Sequence, residues 1–353
     1  MERKSRLISG FGTWSDRRAE RPLGALASMV LVLILGMLAF VFAHAWPSFA
    51  HNGLAWFGAG GNVDRQIENI YNSPAQPAHF VYTMHAWTLL YGTALITFVS
   101  VVIAIALAVL SAMFIVEFAP PGLRRALDPV VRLLAAVPSV VYGLIGILVL
   151  VPFVGNHLVT AHEKTAVAYV VQLTGASISV AIVILTVMIM PIMIAIITDA
   201  LRAVPSGWTE GALALGVNRF RVTWTIALRA IRPAIVAAVV LATARALGEA
   251  IMLSMVSGSV GFAPNPLDGL TFFFEPARGL APTIVDNAGG LSVVPLAQTI
   301  YAFAAVLLVS SMALSFAGWA AKRPLQRHGM GGRASGGRSG GSGGGVPRSL
   351  SWG

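Results

Sequence analysis

Apolar positions in this chain do not alternate with a short period but cluster into long runs, at about residues 23–46, 87–117, 130–153, 168–198, 233–258 and 294–320. A bilayer core about 30 Å thick needs about 20 apolar residues per helix. Six transmembrane helices are therefore predicted. The second and fourth runs exceed that length, so tilt or projecting ends are expected. Ala43-His44-Ala45 mimics a signal-peptidase site, but the apolar core before it is longer than a signal peptide's and five further runs follow. The first run reads as an uncleaved helix. Because a bundle of helices satisfies every backbone hydrogen bond internally, the fold class predicted is all-α integral membrane.

Composition agrees with that pattern. Hydrophobic residues make up 56% of the 353 positions and charged residues only 11%, against roughly 25% charged in a soluble domain. The formal net charge of +10 is informative through its placement. Lys and Arg number six in 1–22, three in 118–132, five in 199–232 and six in 321–353. The intervening loops hold one each, Arg65, Lys164 and Arg278. By the positive-inside rule both termini are expected in the cytoplasm. The predicted organisation is a cytoplasmic segment 1–22, a transmembrane domain 23–320 and a cytoplasmic tail 321–353. The tail, "GMGGRASGGRSGGSGGG", is too rich in Gly and Ser to fold; its arginines are within reach of anionic membrane lipid.

Outside the membrane, Trp46, Trp56 and Trp87 flank the first outer loop and are expected at headgroup level. The Phe272-Phe273-Phe274 cluster of the loop 259–293 is either an interfacial piece or part of a loop packed on the outer face. Methionines 188, 190 and 193 suit adaptable packing. No cysteine is present, which removes thiol chemistry. A phosphate-cradling loop needs G-x-x-x-x-G-K-[ST]; the three lysines, Lys4, Lys164 and Lys322, never follow a glycine. No histidine pair has metal-ligand spacing, and there is no G-x-S-x-G elbow. An enzyme is not expected, nor a metal, nor nucleic acid as a partner.

The segment "VPSGWTEGALALGVNRFRVTWTIALRAIRPAI" (204–235) lies on the basic side. Ser206 is expected to cap a short helix, Gly216 to end it in the left-handed conformation, and Asn218 to cap the next. This makes a helix–turn–helix knob presented to the cytoplasm. Glu210-Gly211-Ala212, then Gly216, then Ile226 and Leu228 resemble the E-A-A-x3-G-x9-I-x-L-P loop of ABC importer permeases. Gly211 replaces the first alanine, and Arg229 stands at the proline. The stretches "LLAAVPSVVYGLIGILVLVPF", "YGTALITFVSVVIAIALAV", "ARALGEAIML" and "AWPSFAHNGLAWF" resemble the phosphate branch of that family, the PstC-like permeases. The resemblance implies a type I ABC importer subunit with a PstA-like partner permease and two PstB-like ATP-binding subunits. It also implies an extracytoplasmic phosphate-binding protein. ATP and Mg would then sit on the partner ATPase, with Glu210, Gly211, Ala212 and Gly216 in the loop that couples to it. The implied location is the bacterial cytoplasmic membrane.

One charged pair lies inside an apolar run: Arg245 and Glu249 in "ARALGEAIML". A charge at mid-membrane costs about 2.5–3.5 kcal/mol on insertion scales and normally faces protein or a watery path. Spacing i, i+4 puts both on one face of the fifth helix. Two readings stand: a structural ion pair, or a substrate path in which the Arg245 fork meets phosphate and Glu249 holds it. Pro138 and Pro191 are expected to interrupt the third and fourth spans. Ser139 and Tyr142 offer hydroxyls that either contact a passing oxyanion or bond neighbouring backbone. Other substrate oxyanions (molybdate, phosphonate), an ATP-independent secondary transporter and a phosphate-signalling role are the alternatives.

Overall fold

A computed structural model describes residues 5–160, 164–165 and 172–329. Helices account for nearly all regular structure among the described residues, where a single isolated bridge, Gly258 to Ala277, is the one β-type pairing. Five helical segments are long and apolar enough to span a bilayer, or six if one bent pair counts as a span. Each apolar run thus contains helix, with shifted boundaries: the fourth is helical from Ile178, its residues 168–171 lying outside those described, and the fifth is broken at Gly248–Ala250.

Helix α1 (Ser5–Asn52) stands largely apart. None of the most apolar window of Pro22–Phe57 is buried. Only its outer end packs, through buried Ala45 and Ser48, against α12 (Val294–Gly329). The chain then folds back in a 3-10 turn, Gly53–Phe57, and a short helix α2 (Val63–Tyr71) capped by the Asn62 side chain. Trp46 and Trp87 are exposed. Trp56 is not: it is fully buried against Phe49, Phe57 and Phe303. The turn carries it beneath the outer ends of α1 and α12, where its apolar area is worth more than at an interface.

Helix α3 (Trp87–Phe118) packs along α6 (Ile178–Arg202), the most buried of the spans. Between them the expected third run divides. Helix α4 (Pro121–Ala136) is amphipathic and separate, and the span α5 (Ser139–Leu158) begins only after Pro138. The proline pushes Val137 into extended backbone (ψ 130°), as it does to any preceding residue. Pro138 therefore opens a span rather than kinking one, and Pro191 sits inside an unbroken α6. Helix α4 is tied to neighbouring ends by side chains. Arg124 donates to the Ile115 carbonyl at 2.9 Å and to that of Val116, and Arg132–Asp199 (3.1 Å) and Arg202–Asp128 (2.7 Å) join it to α6.

After α6 come α7 (Ser206–Ala214), α8 (Arg219–Ala230) and α9 (Arg232–Leu247), with a 71° bend between the last two. A break at Gly248–Ala250 precedes α10 (Ile251–Val256). The outer loop then leads through α11 (Leu280–Asp286) to α12. Phe272 and Phe274 pack against the main core and only Phe273 is exposed, so the aromatic cluster belongs to a packed loop. α12 continues past the expected boundary at 320 to Gly329; residues 330–353 of the tail lie outside those described.

Glu275 holds this loop to α6. Its carbonyl accepts the Ile178 N–H at 3.0 Å, and its buried carboxylate accepts the Asn265 N–H at 3.2 Å. Burial pushes the carboxyl above the ordinary carboxylate range; the Asn265 N–H opposes that, and nearby Asp268 adds to it. A carboxyl raised on folding makes the folded state bind more protons, so its contribution to stability falls as pH climbs through the raised value. Glu275→Gln is accordingly expected to unfold at a higher temperature than the unsubstituted chain near about pH 7 and to lose that advantage near about pH 4. Thermal unfolding of the purified chain at the two pH values checks this.

Candidate functional site

The site forms where the fifth span breaks, at Gly248–Ala250, and its continuation α10 packs against the start of α5. α9 ends at Leu247, with the Gly248 N–H bonded back to Ala244 O at 3.3 Å. Glu249 falls in the break, is 8% exposed, and its Oε1 accepts the Met252 N–H at 3.1 Å. It caps the start of α10, where the helix dipole and orphan donors favour a carboxylate. Arg245 occupies the last turn of α9, is exposed, and has no ion pair or hydrogen bond among the described residues. The expectation that Arg245 and Glu249 share one helical face and neutralise each other is corrected. Gly248 ends the helix between them, and a backbone donor at the next helix start takes the carboxylate.

Across from the break, α5 begins with Ser139 and buries Tyr142, whose hydroxyl donates to the Leu134 carbonyl at 3.0 Å. Ser139, one turn before Tyr142, is half-buried and without a hydrogen-bond partner among the described residues. Two glycines bring the broken helices together. A Cβ at Gly143 would lie 3.2 Å from Met252 Cα, and one at Gly146 would lie 2.2 Å from Ile184 Cδ1 and 2.6 Å from Val256 Cγ1. Small residues at such spacing permit close helix approach in membranes. The "YGLIG" spacing was the available signal for this contact, and sequence reasoning did not use it. The resulting site offers an uncommitted guanidinium in the last turn of α9 and a buried tyrosine on α5, the helix against which α10 packs.

On the basic side the knob has the expected form with one change. Pro205, not Ser206, is the N-cap residue of α7, and Ser206 O instead accepts the Thr209 hydroxyl at 2.9 Å. Pro205 is pre-set in extended backbone and needs no side-chain cap. Gly216 has φ +81°, with Gly216 N–H bonded to Leu213 O (2.9 Å) and Val217 N–H to Ala212 O (3.4 Å). This is the two-bond glycine helix stop. Asn218 caps α8 through the Arg221 N–H at 2.8 Å. Glu210 and Gly211 are exposed and Ala212 half-buried, with Trp208 and Leu215 uncovered alongside. Gly216→Val is expected to cost about 1–2 kcal/mol at this turn. A lowered unfolding temperature of the purified chain is the expected result; an unchanged one would show that the turn tolerates a side chain at this φ.

A second charged group lies on the opposite side of the bundle. Arg278 pairs with Asp64 (2.6 Å) and Asp286 (3.6 Å) and donates to the Ser259 carbonyl. Asp64 also accepts the Gly261 N–H at 2.8 Å, and Asp286 the Ser254 hydroxyl of α10. No group of three His, Cys, Asp or Glu suited to a metal occurs among the described residues.

Interrupted spans, a knob built around a glycine stop and a central charged break define the membrane permease subunit of an ABC importer. Residues 118–322 match the family described as "Binding-protein-dependent transport system inner membrane component", and the chain belongs to it, as a multi-pass protein of the cytoplasmic membrane. Similar proteins include the probable ABC transporter permease protein YqgH of Bacillus subtilis, 34% identical over 223 residues, 63% of this chain and 66% of that one. The probable phosphate transport system permease protein PstC of Methanocaldococcus jannaschii is 28% identical over 295 residues, 82% of this chain and 88% of that one. PstC 1 of Mycobacterium tuberculosis is 33% identical over 254 residues, covering 69% and 74%. Among solved structures, a bacterial alginate ABC transporter in complex with its alginate-bound periplasmic protein aligns with TM-score 0.55. At 14% identity, with 89% of this chain and 98% of that one covered, it shares the fold.

Proposed function

We propose that this permease subunit imports inorganic phosphate, forming the path with a PstA-like partner permease. PstB-like ATPases couple to it through residues 206–230, and an extracytoplasmic protein delivers phosphate. Both termini and the knob then face the cytoplasm, as the arginine distribution requires. The observation that carries the reading is the uncommitted Arg245 guanidinium in the last turn of α9, just before the break in the fifth span. A planar fork of donors that stays charged matches phosphate oxygens two at a time. The names carried by similar permeases support phosphate among the oxyanions.

ATP supplies the work from outside this chain. Motion reaches the knob, passes through the 71° bend into α9, and is delivered to the break where Arg245 sits. Alternating access follows if the two half-helices α9 and α10 reorient about Gly248–Ala250. Phosphate uptake into proteoliposomes holding the complete complex tests the reading. Uptake driven by ATP and outcompeted by phosphate but not by molybdate or phosphonate is the expected result. Preference for either of the others reassigns the substrate; uptake without any ATPase makes the chain a secondary transporter.

A further inference from the structure

Helix α8, the second helix of the knob, turns one face away from the protein. It meets α9 at 71°, so when α9 crosses the bilayer α8 runs close to the membrane plane. Val222, Thr223 and Ala227 turn into the protein. Phe220 and Trp224 turn out of it, 53% and 50% exposed, with rings stacked at 5.9 Å and 17°. Arg219, Arg221 and Arg229 of α8 and Arg232 at the start of α9 are exposed, and none forms an ion pair among the described residues. Residues 211–248 contain no Asp or Glu at all. The four charges therefore have no counterion supplied by their own part of the chain.

An aromatic pair with a cationic flank on a helix in the membrane plane is the composition of an interfacial helix. Stacked aromatic rings prefer the headgroup boundary to water, and unpaired arginines near the surface are drawn to anionic lipid. Within the 206–230 segment assigned above to ATPase coupling, the first helix α7 carries its own uncovered Trp208 and Leu215 on the far side of Gly216, which leaves the outward face of α8 free for a second contact.

We propose that α8 is a binding surface for anionic lipid headgroups of the cytoplasmic leaflet. Arg219, Arg221, Arg229 and Arg232 pair with lipid phosphates, and the Phe220–Trp224 pair sits at the acyl boundary. Lipid charge then sets how firmly the base of the knob is held while the ATPases move it. The side of the membrane rests on the orientation proposed above, but the test reads lipid rather than transport, so either can fail alone.

The full-length chain is placed in nanodiscs of phosphatidylcholine with and without phosphatidylglycerol. Retained lipid is measured by mass spectrometry, and quenching by acyl-brominated lipid is assigned to Trp224 by difference from Trp224→Phe. Phosphatidylglycerol enrichment and Trp224 quenching are expected. Each Arg→Gln change should reduce enrichment by up to about fivefold, the equivalent of about 1 kcal/mol per arginine. The fourfold Arg→Lys variant should keep enrichment, which separates charge from misfolding. Equal enrichment in the fourfold Arg→Gln variant overturns the proposal, as does a Trp224 that lipid never quenches. A Trp224 shielded only when ATPase is added makes α8 a protein-docking surface instead.

Discussion

Arg245→Ala is expected to lower phosphate uptake by about 30-fold or more while leaving the complex assembled. The guanidinium is exposed within the chain and forms no ion pair or hydrogen bond among the described residues, so truncating it breaks neither and opens no core cavity. A structural ion pair would behave differently: its removal would strand Glu249 in the protein interior and lower stability. Here Glu249 is already satisfied by the Met252 N–H. Loss of a charge-assisted contact to a dianion is worth about 2 kcal/mol or more, about 30-fold in rate. Arg245→Lys keeps the charge and loses the fork, so it should retain a reduced rate with weaker discrimination among oxyanions. Uptake by proteoliposomes, with unfolding temperature as the control, decides the matter. Undiminished uptake by Arg245→Ala would take the path elsewhere; a large fall in unfolding temperature would restore a structural role.

Much of this arrangement was legible in the sequence because membrane constraints act locally. Twenty apolar residues must form a helix wherever they occur, so all six runs were visible. The Gly216 stop and the Asn218 cap were equally readable, since each depends on one residue's backbone preference. What failed was geometry set by competition. The i, i+4 spacing of Arg245 and Glu249 implies neighbours only if the helix continues, and Gly248 ends it. Pro138 was read as a kink, but coming after the amphipathic α4 it marks the start of a span. Trp56 illustrates a third limit. A tryptophan in an outer loop suits the interface or a small core equally well, and only the turn at Gly53–Phe57 decides. The Arg278 group had no local signal at all, because Asp64 lies 214 residues away along the chain.

That group carries the other large expected effect. Arg278→Leu should destabilise the outer face and, with it, transport. The arginine side chain is 14% exposed and stands between Asp64, 38% exposed, and Asp286, 20% exposed. Replacing it leaves two carboxylates facing each other across an apolar side chain, and removing one partner of a buried pair costs about 3–5 kcal/mol. Water reaches Asp64, so the loss here belongs at or below the lower end, about 2–3 kcal/mol. The consequence for transport follows from what the carboxylates hold. Asp64 fixes the Gly261 N–H to α2, and Asp286 takes the Ser254 hydroxyl, which anchors α10. α10 is the helix that Glu249 caps, so slack at Arg278 is transmitted to the break where Arg245 sits. Arg278→Leu combined with Asp286→Asn relieves the carboxylate repulsion and should recover part of the unfolding temperature, but not the uptake rate, because the bridge between α2 and α11 stays absent. Thermal unfolding and uptake measured on the single and double variants separate these outcomes. An unfolding temperature unchanged in Arg278→Leu would show that the outer loop is held by its apolar packing alone.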